Sequence, residues 1–485
     1  MTPTFSAAAR RAAFFLSALV LLSACDATGD DGGATLPGQP TAVAGADQAA
    51  EVGRLVTLDG SASTDPDGDA LTYSWVFTST PAGSAAALAG ANAVATFTPD
   101  VPGAYTARLT VSDGVLSDTD DVTVTATAPA FIPIDGDFGT TQTLPAGTYR
   151  VPVNARIEVE DGVALTLAPG VRIEFGSGSE LIVNGGAALI ARGSAAQPIE
   201  LVGETPVPGL WNGLGFRSND PRNALDFVTV QHAGAEALYF MSGPGNVGVD
   251  GSARVAITNS TIRDSGTNGL ALDQGADLSA FSGNTLTANN GYPVTGAFDH
   301  APVFDASSTY AGNATDSINI TGSAEIDSDQ TLDAVDVPFR LSGRQEVEAG
   351  LLTVAPGTRL EFASGAELHV VGTGAMRAVG TAAQPIEFVG EAAVAGLWNG
   401  LGFRSSDPRN VLDFVTVAHG GADTHYFTSD AANVGVDGGA RVTVTNSTIR
   451  DSDGWGIWGD PSADVTQSGN AFSNNPSGNF NDPAL

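Results

Sequence analysis

An all-β chain in two parts is predicted by three observations. Only 7% of the residues are aromatic against 42% hydrophobic, glycine numbers 60, and no long run carries a helical period. Between about 39 and 127, apolar and polar residues alternate over short runs, the period of half-buried strands. Beyond 131, strands of a few residues recur at spacings of about 20–25 residues, the rhythm of a stacked solenoid. With 485 residues the chain is long enough for two or three domains, each able to bury its own core.

Charge bounds the partners. The formal net charge is −34 and every one of the 20 basic residues is arginine. Such a surface repels phosphates, so nucleic acid is not an expected partner and anionic lipid headgroups are not an expected docking surface. A GC-rich genome and a saline habitat would both produce this balance.

At the N-terminus, Arg10 and Arg11 precede the apolar run "AAFFLSALVLL" (12–22), which is too short to span a bilayer, and "LSAC" ends at Cys25. This resembles the bacterial lipoprotein signal. The resemblance implies a signal peptide over 1–24, lipidation of Cys25, which is the only cysteine, and attachment to a lipid bilayer. "ARRAAFFL" lacks the rest of a twin-arginine export pattern. Residues 25–38, polar and rich in Gly and Pro, read as a tether. The expected location is the cell envelope, with the outer membrane or cell surface favoured over the inner membrane.

From 39 to 128 the alternation places Leu71, Tyr73, Trp75 and Phe77 on one strand face, Tyr105, Ala107, Leu109 and Val111 on another, and Val122 and Val124 on a third. Short strands with turns between them predict a β-sandwich. "AGADQ", "VTLDGSASTDPDGDALTYSWVF" and "YTARLTVSDG" together resemble the polycystic kidney disease (PKD) domain, which implies an immunoglobulin-like sandwich serving as a spacer or weak binding module. Within it Asp65, Asp67 and Asp69 alternate around Gly68, a spacing that could gather carboxylates on Ca²⁺. No bidentate Glu follows as in an EF-hand loop, and Asp side chains accepting backbone N–H bonds in a turn are the favoured reading.

The remainder is self-similar. Trp211 matches Trp398, His232 His419, Asp250 Asp437 and Asn259 Asn446, each offset by 187, without a gap from Pro169 to Ser265 and with about two-thirds of the positions identical. Gapless duplication suits units stacked in fixed register. The expected modules are 131–296 and 297–485. Asn259 and Asn284, and likewise Asn446 and Asn470, are expected to stack at turns one coil apart. "VTNSTIRDSDGWGIW" and "GTAAQPIEFVG" resemble the right-handed parallel β-helix of pectate lyases, polygalacturonases and tailspikes.

The longest shared stretch reads "GLWNGLGFRSNDPRN" (209–223) and "GLWNGLGFRSSDPRN" (396–410). Its residue types suit a sugar groove, with Trp211, Arg217, Trp398 and Arg404 as candidate carbohydrate ligands. A lyase reading would add Asp220, Arg222, Asp226 and His232 with their counterparts Asp407, Arg409, Asp413 and His419. The motifs of the polygalacturonase kind ("NTD", "DD", "GHG", "RIK") are absent from this region. Identical sets in both copies are more simply explained by structure: Trp211 and Trp398 filling the coil, "SNDPRN" and "SSDPRN" forming turns, and Arg217 or Arg404 pairing with Asp226 or Asp413. Insert loops are expected around 235–250 and 422–437. His419 and His425 are possible metal ligands, but His425 replaces Leu238 of the first copy and no acidic partner sits at a metal-site spacing beside it, so a solvent-facing loop is expected. No catalytic residue is assigned, and no cofactor beyond possible Ca²⁺. The sequence favours a non-catalytic envelope scaffold or adhesin that could bind polysaccharide or neighbouring cell-surface components, with a polysaccharide lyase or hydrolase and a passive stalk as alternatives.

The anchor gives the first test. In a bacterium that processes lipoproteins, the wild-type chain should partition into detergent and Cys25→Ala should not; equal membrane association of the two would place the anchor elsewhere.

Overall fold

The computed structural model describes residues 38–90, 92–128 and 131–481. The expected signal peptide, Cys25 and all but the last residue of the expected tether lie outside the described residues. The chain divides between 129 and 130 into two compact units; among the described residues the first is all β and the second is all β apart from one short 3-10 segment.

In the first unit a four-stranded sheet is ordered Gln48–Glu51, Ser117–Thr127, Gly103–Ser112, Thr72–Ser79, and Val56–Asp59 pairs with Val94–Phe97 in a second, two-stranded sheet. The alternation reads as expected. Trp75, Tyr105, Ala107, Leu109, Val111, Val122 and Val124 are buried, and they meet Leu58 and Phe97 from the other sheet. Tyr105 adds a polar lock: its hydroxyl donates to the Val101 carbonyl at 2.8 Å and accepts from the Val101 amide at 3.0 Å, a tyrosine corner that ties a turn to the core.

The second unit is a parallel β-helix with three faces. One face is a single 13-stranded parallel sheet from Arg156–Val159 to Ala471–Ser473; each of the other two is split into a first and a second half. Among the described residues every pairing between its strands is parallel, so the backbone of each interior strand is satisfied by the coils above and below. Inward residues such as Leu181, Leu214 and Val247 stack in register along one continuous interior.

The faces reveal how the two copies are arranged. Glu180–Val183, Gly213–Phe216 and Gly245–Val249 lie in the 13-stranded sheet, whereas their counterparts Glu367–Val370, Gly400–Phe403 and Ala432–Val436 lie in a neighbouring seven-stranded sheet. Val171–Phe175 lies in the seven-stranded sheet of the first half, and its counterpart Arg359–Phe362 joins the 13-stranded one. The second copy is therefore turned by one face about the solenoid axis. The changeover falls around the 3-10 segment Phe298–Val303.

Two details differ from expectation. Thr261 pairs with Thr285, which sets Asn259 against Gly283 and Ser260 against Asn284, one position away from the expected asparagine stack. Asn284 instead accepts from the Ser260 amide at 3.0 Å and donates to the Ile257 carbonyl at 2.9 Å, and Asn470 accepts in the same way from Ser447. Direct stacking occurs elsewhere, where Asn289 donates to Asn313 Oδ1 at 2.8 Å. The expected inserts are also shorter, because Gly245–Val249 and Ala432–Val436 belong to the ladder.

Trp211 and Trp398 are 0% exposed. Their rings stack on Phe175 and Phe362 at 3.9 Å, and their indole N–H groups donate to the carbonyls of Gln231 and Ala418, each at 2.9 Å. Replacing either Trp by Ala removes a large ring from a close-packed interior and should lower unfolding free energy by about 3–5 kcal/mol. Denaturant unfolding of Trp211→Ala and Trp398→Ala checks this, and wild-type midpoints would contradict it.

Candidate metal centre beneath the second insert loop

Strands of an exposed sheet alternate inward apolar with outward polar residues, as Arg254–Thr258 does. Glu367–Val370, Gly400–Phe403 and Ala432–Val436 are buried on both faces. The reason is the loop between His419 and Ala432, which folds down over them. Its path needs a floor without side chains: a Cβ on Gly402 would lie 2.6 Å from Phe427 Cζ and 2.7 Å from His369 Cδ2, and one on Gly435 would lie 2.5 Å from His425 Cδ2. Gly402 of "NGLGF" and Gly435 of "NVGV" are explained by this close approach.

Under the loop lies a polar cluster. His369 points outward from its strand, opposite to the core residues Leu368 and Val370, and its Nε2 meets His425 Nδ1 at 2.9 Å. Glu367 Oε2 is 3.4 Å from His369 Nε2 and accepts from Asn399 Nδ2 at 3.1 Å, while Glu367 Oε1 is held by the Arg344 guanidinium. Glu346 Oε1 stands 3.6 Å from His369 Nδ1. Both imidazoles are 0% exposed. His369 Nδ1, His425 Nε2 and Glu346 Oε1 are buried without a hydrogen-bond partner. Phe427 stacks along His425, and Tyr426 closes the top beside Arg344 and Arg404. Among the described residues, only Glu367, His369 and His425 bring three such ligand atoms together.

Burial dominates the electrostatics. Desolvation, with the Arg344 charge nearby, pushes the His369 imidazole down to about 3. Desolvation, then His369 and Arg344, does the same for His425, also to about 3. Both rings are neutral at physiological pH, which is the ligating form.

The solvent-facing loop expected for His425 is thus corrected, because the loop turns this side chain inward. His369, Glu367 and Glu346 were not singled out from the sequence. A signal was available: against the first copy, His369 replaces Ile182 and His425 replaces Leu238. In the first copy Ile182, Leu238, Met241 and Ala271 form a small apolar cluster under the equivalent loop.

The residues of the doubled motif are engaged separately. Full burial removes Trp211 and Trp398 from any sugar platform. Arg217 is exposed, but it donates to Tyr239 Oη at 2.6 Å and lies 3.9 Å from Asp250 rather than on Asp226; Arg404 likewise pairs with Asp437 at 3.2 Å rather than with Asp413. Asp226 accepts from Thr258 and Asn259, and Asp413 from Thr445 and Asn446. Arg222 and Arg409 close their own turns on Asp220 and Asp407. His232 and His419 occupy left-handed backbone positions, φ 68° and 69°, and their carbonyls accept from Leu210 and Leu397.

Comparison with known proteins bears on the first unit. A family model of the PKD domain matches residues 44–126. These residues form a PKD domain. A solved PKD domain from the KIAA 1837 protein is 35% identical, covers 20% of this chain and 93% of its own, and has a TM-score of 0.17. A nucleoside hydrolase-related hypothetical protein from Saccharophagus degradans, described as associated with carbohydrate metabolism, is 28% identical over 19% of this chain, with a TM-score of 0.18. The chain spans 26% of that protein's length. No curated protein matches the chain.

In the PKD domain, Asp65 Oδ1 accepts from the backbone amides of Asp67 at 2.8 Å and Asp69 at 3.2 Å, and Asp67 accepts from the Gly38 amide. The alternating carboxylates thus build a turn of the Asx kind.

The buried imidazoles imply an acid sensitivity. Between an ordinary value of 6.5 and a folded value of about 3, the unfolded chain binds protons at His369 and His425 that the folded chain does not. Stability is therefore present above pH 6.5 and falls with pH through this window, by up to about 1.4 kcal/mol per pH unit for each ring. In chelator, His369→Ile with His425→Leu should lose stability less steeply than wild type between these limits, as read from urea midpoints at successive pH values. Parallel curves would show that the rings titrate normally.

Proposed function

We propose that this chain is a cell-envelope lipoprotein acting as a non-catalytic scaffold, with the PKD domain as a spacer and the β-helix as a stiff display surface for glycans or neighbouring cell-surface components. The observation that carries this reading is where the doubled motif spends its residues. Its aromatic rings fill the coil, its Asp–Arg pairs close turns, and its outer arginines clamp loop tyrosines, so the groups suited to acid, base or uronate chemistry are engaged separately instead of converging on one cleft. The turn of one face between the copies adds to this, because two identical sets on different faces cannot line one groove.

What such a surface offers is repetition and stiffness. Parallel coils hydrogen-bonded along their whole length resist bending, and ion pairs between neighbouring coils, such as Arg172 with Glu200 at 2.6 Å and Arg441 with Asp464 at 2.6 Å, align charges along it. The Arg172–Glu200 pair is half-buried, whereas exposed pairs such as Arg441–Asp464 add little stability and chiefly pattern the surface.

Incubation of the purified chain with a panel of acidic and neutral polysaccharides separates the readings. Retention of at least one glycan with no release of reducing ends or unsaturated products is expected. Product release would establish a lyase or hydrolase, and neither binding nor cleavage would leave a passive stalk.

A further inference from the structure

We propose that Glu367, His369 and His425 bind one divalent first-row transition ion that staples the second insert loop to the solenoid wall. Two imidazoles and a carboxylate are the donor set that such ions favour over Ca²⁺ or Mg²⁺, which prefer all-oxygen shells.

The distances suit this assignment. Nitrogens 2.9 Å apart, as His369 Nε2 and His425 Nδ1 are, can both lie about 2.05 Å from one ion at an angle of roughly 90°. The 3.4 Å from His369 Nε2 to Glu367 Oε2 corresponds in the same way to roughly 110°. The surrounding groups orient the donors. Arg344 occupies the other oxygen of Glu367 and leaves Oε2 facing the rings. Glu346, 3.6 Å from His369 Nδ1, favours the tautomer with its proton on Nδ1, which frees the Nε2 lone pair for the ion.

Comparison within the molecule argues against a merely tolerated polar patch. In the first copy the strand carries Glu180 and Ile182, and the loop carries Leu238. There Glu158, the spatial counterpart of Glu346, is satisfied by Asn184 at 2.7 Å; in the second copy that asparagine is Val371, and Glu346 is left facing His369. Three positions therefore differ together, and all three act on the same two imidazoles. His369 Nε2, His425 Nδ1 and Glu367 Oε2 converge in a buried place, and these converging atoms are distinct from the unpartnered His369 Nδ1, His425 Nε2 and Glu346 Oε1. A cation at the converging atoms neutralises the excess negative charge of Glu346 and Glu367 over Arg344.

Because the ligands come from the wall and the loop, the ion would act on order and stability, with no catalytic role. The first loop packs on the apolar cluster of Ile182, Leu238, Met241 and Ala271 and needs no ion there. The second is held fully only where the ion is present.

The test uses the untagged full chain, stripped with chelator and then exposed to Zn²⁺, with bound metal quantified after gel filtration and thermal unfolding followed with and without the ion. Wild type should retain one Zn²⁺ per chain and its midpoint should rise. His369→Ile with His425→Leu restores the pair already packed in the first copy and so should fold, but should retain no Zn²⁺ and show no rise. Glu367→Gln should weaken binding by about tenfold or more, in keeping with the loss of a ligand group. Co²⁺ substituted into wild type should give visible d–d absorption that is absent from the double variant. Equal Zn²⁺ retention by wild type and the double variant would overturn the proposal, as would a wild type that retains none.

Discussion

Parallel stacking is the constraint from which the rest of the second unit follows. Each coil obtains its backbone hydrogen bonds from the coil before and the coil after, so a side chain one position out of register would leave the wrong face of its strand in the core. This is why the 187-residue copy carries no gap between Pro169 and Ser265. It also explains how the two copies can be joined with a twist: a three-faced coil accepts a new module entered one face late, because every face presents the same ladder to the next strand.

The second consequence concerns the outer surface. Wherever a loop lies across three stacked strands, residues facing outward become a second interior and must be packed or paired. Gly215 and Gly402 clear the space. What fills it differs between copies, with Ile182 and Leu238 in one and His369 and His425 in the other. The same backbone thus supports either a dry contact, stabilised by about 25 cal/mol for each Å² of apolar surface removed from water, or a polar one whose imidazoles must be held neutral to be buried at all. The second arrangement is the weaker without a ligand and the more conditional.

Much of the fold was legible in the sequence. Alternation at Tyr105–Val111 and Val122–Val124 marked sandwich strands because one side faces a core and the other water, and short strands recurring about every 20–25 residues in a gapless duplication marked a solenoid because stacked coils need a fixed register. The turn of one face was not legible, since it depends on which ladder a strand joins and not on its own pattern. Nor was the cluster at Glu367, His369 and His425. The loop carries His425 across to a strand 56 residues earlier in the chain, and no local spacing announces that meeting. Arg217 and Asp250 were likewise paired only by the fold, whereas Asp226, the nearer candidate in sequence, is engaged by Thr258 and Asn259 from the next coil.

In a duplicated chain, identity between the copies reports what the coil needs, and difference reports what one copy does alone. The most conspicuous motif, "GLWNGLGFRS", proved to be packing: Trp on Phe, glycine under a loop, arginine beside tyrosine. Two changes from aliphatic to imidazole passed almost unmarked within an otherwise repeated frame, yet they place the only convergent set of metal-ligating groups among the described residues. A third change, Asn184 in one copy against Val371 in the other, removes the partner that would have kept the neighbouring glutamate occupied. With all three present, His369 Nε2 and His425 Nδ1 meet each other while Glu346 Oε1 is left without a partner. Together they turn an apolar contact into a site, and they do so without disturbing any strand of the ladder beneath it.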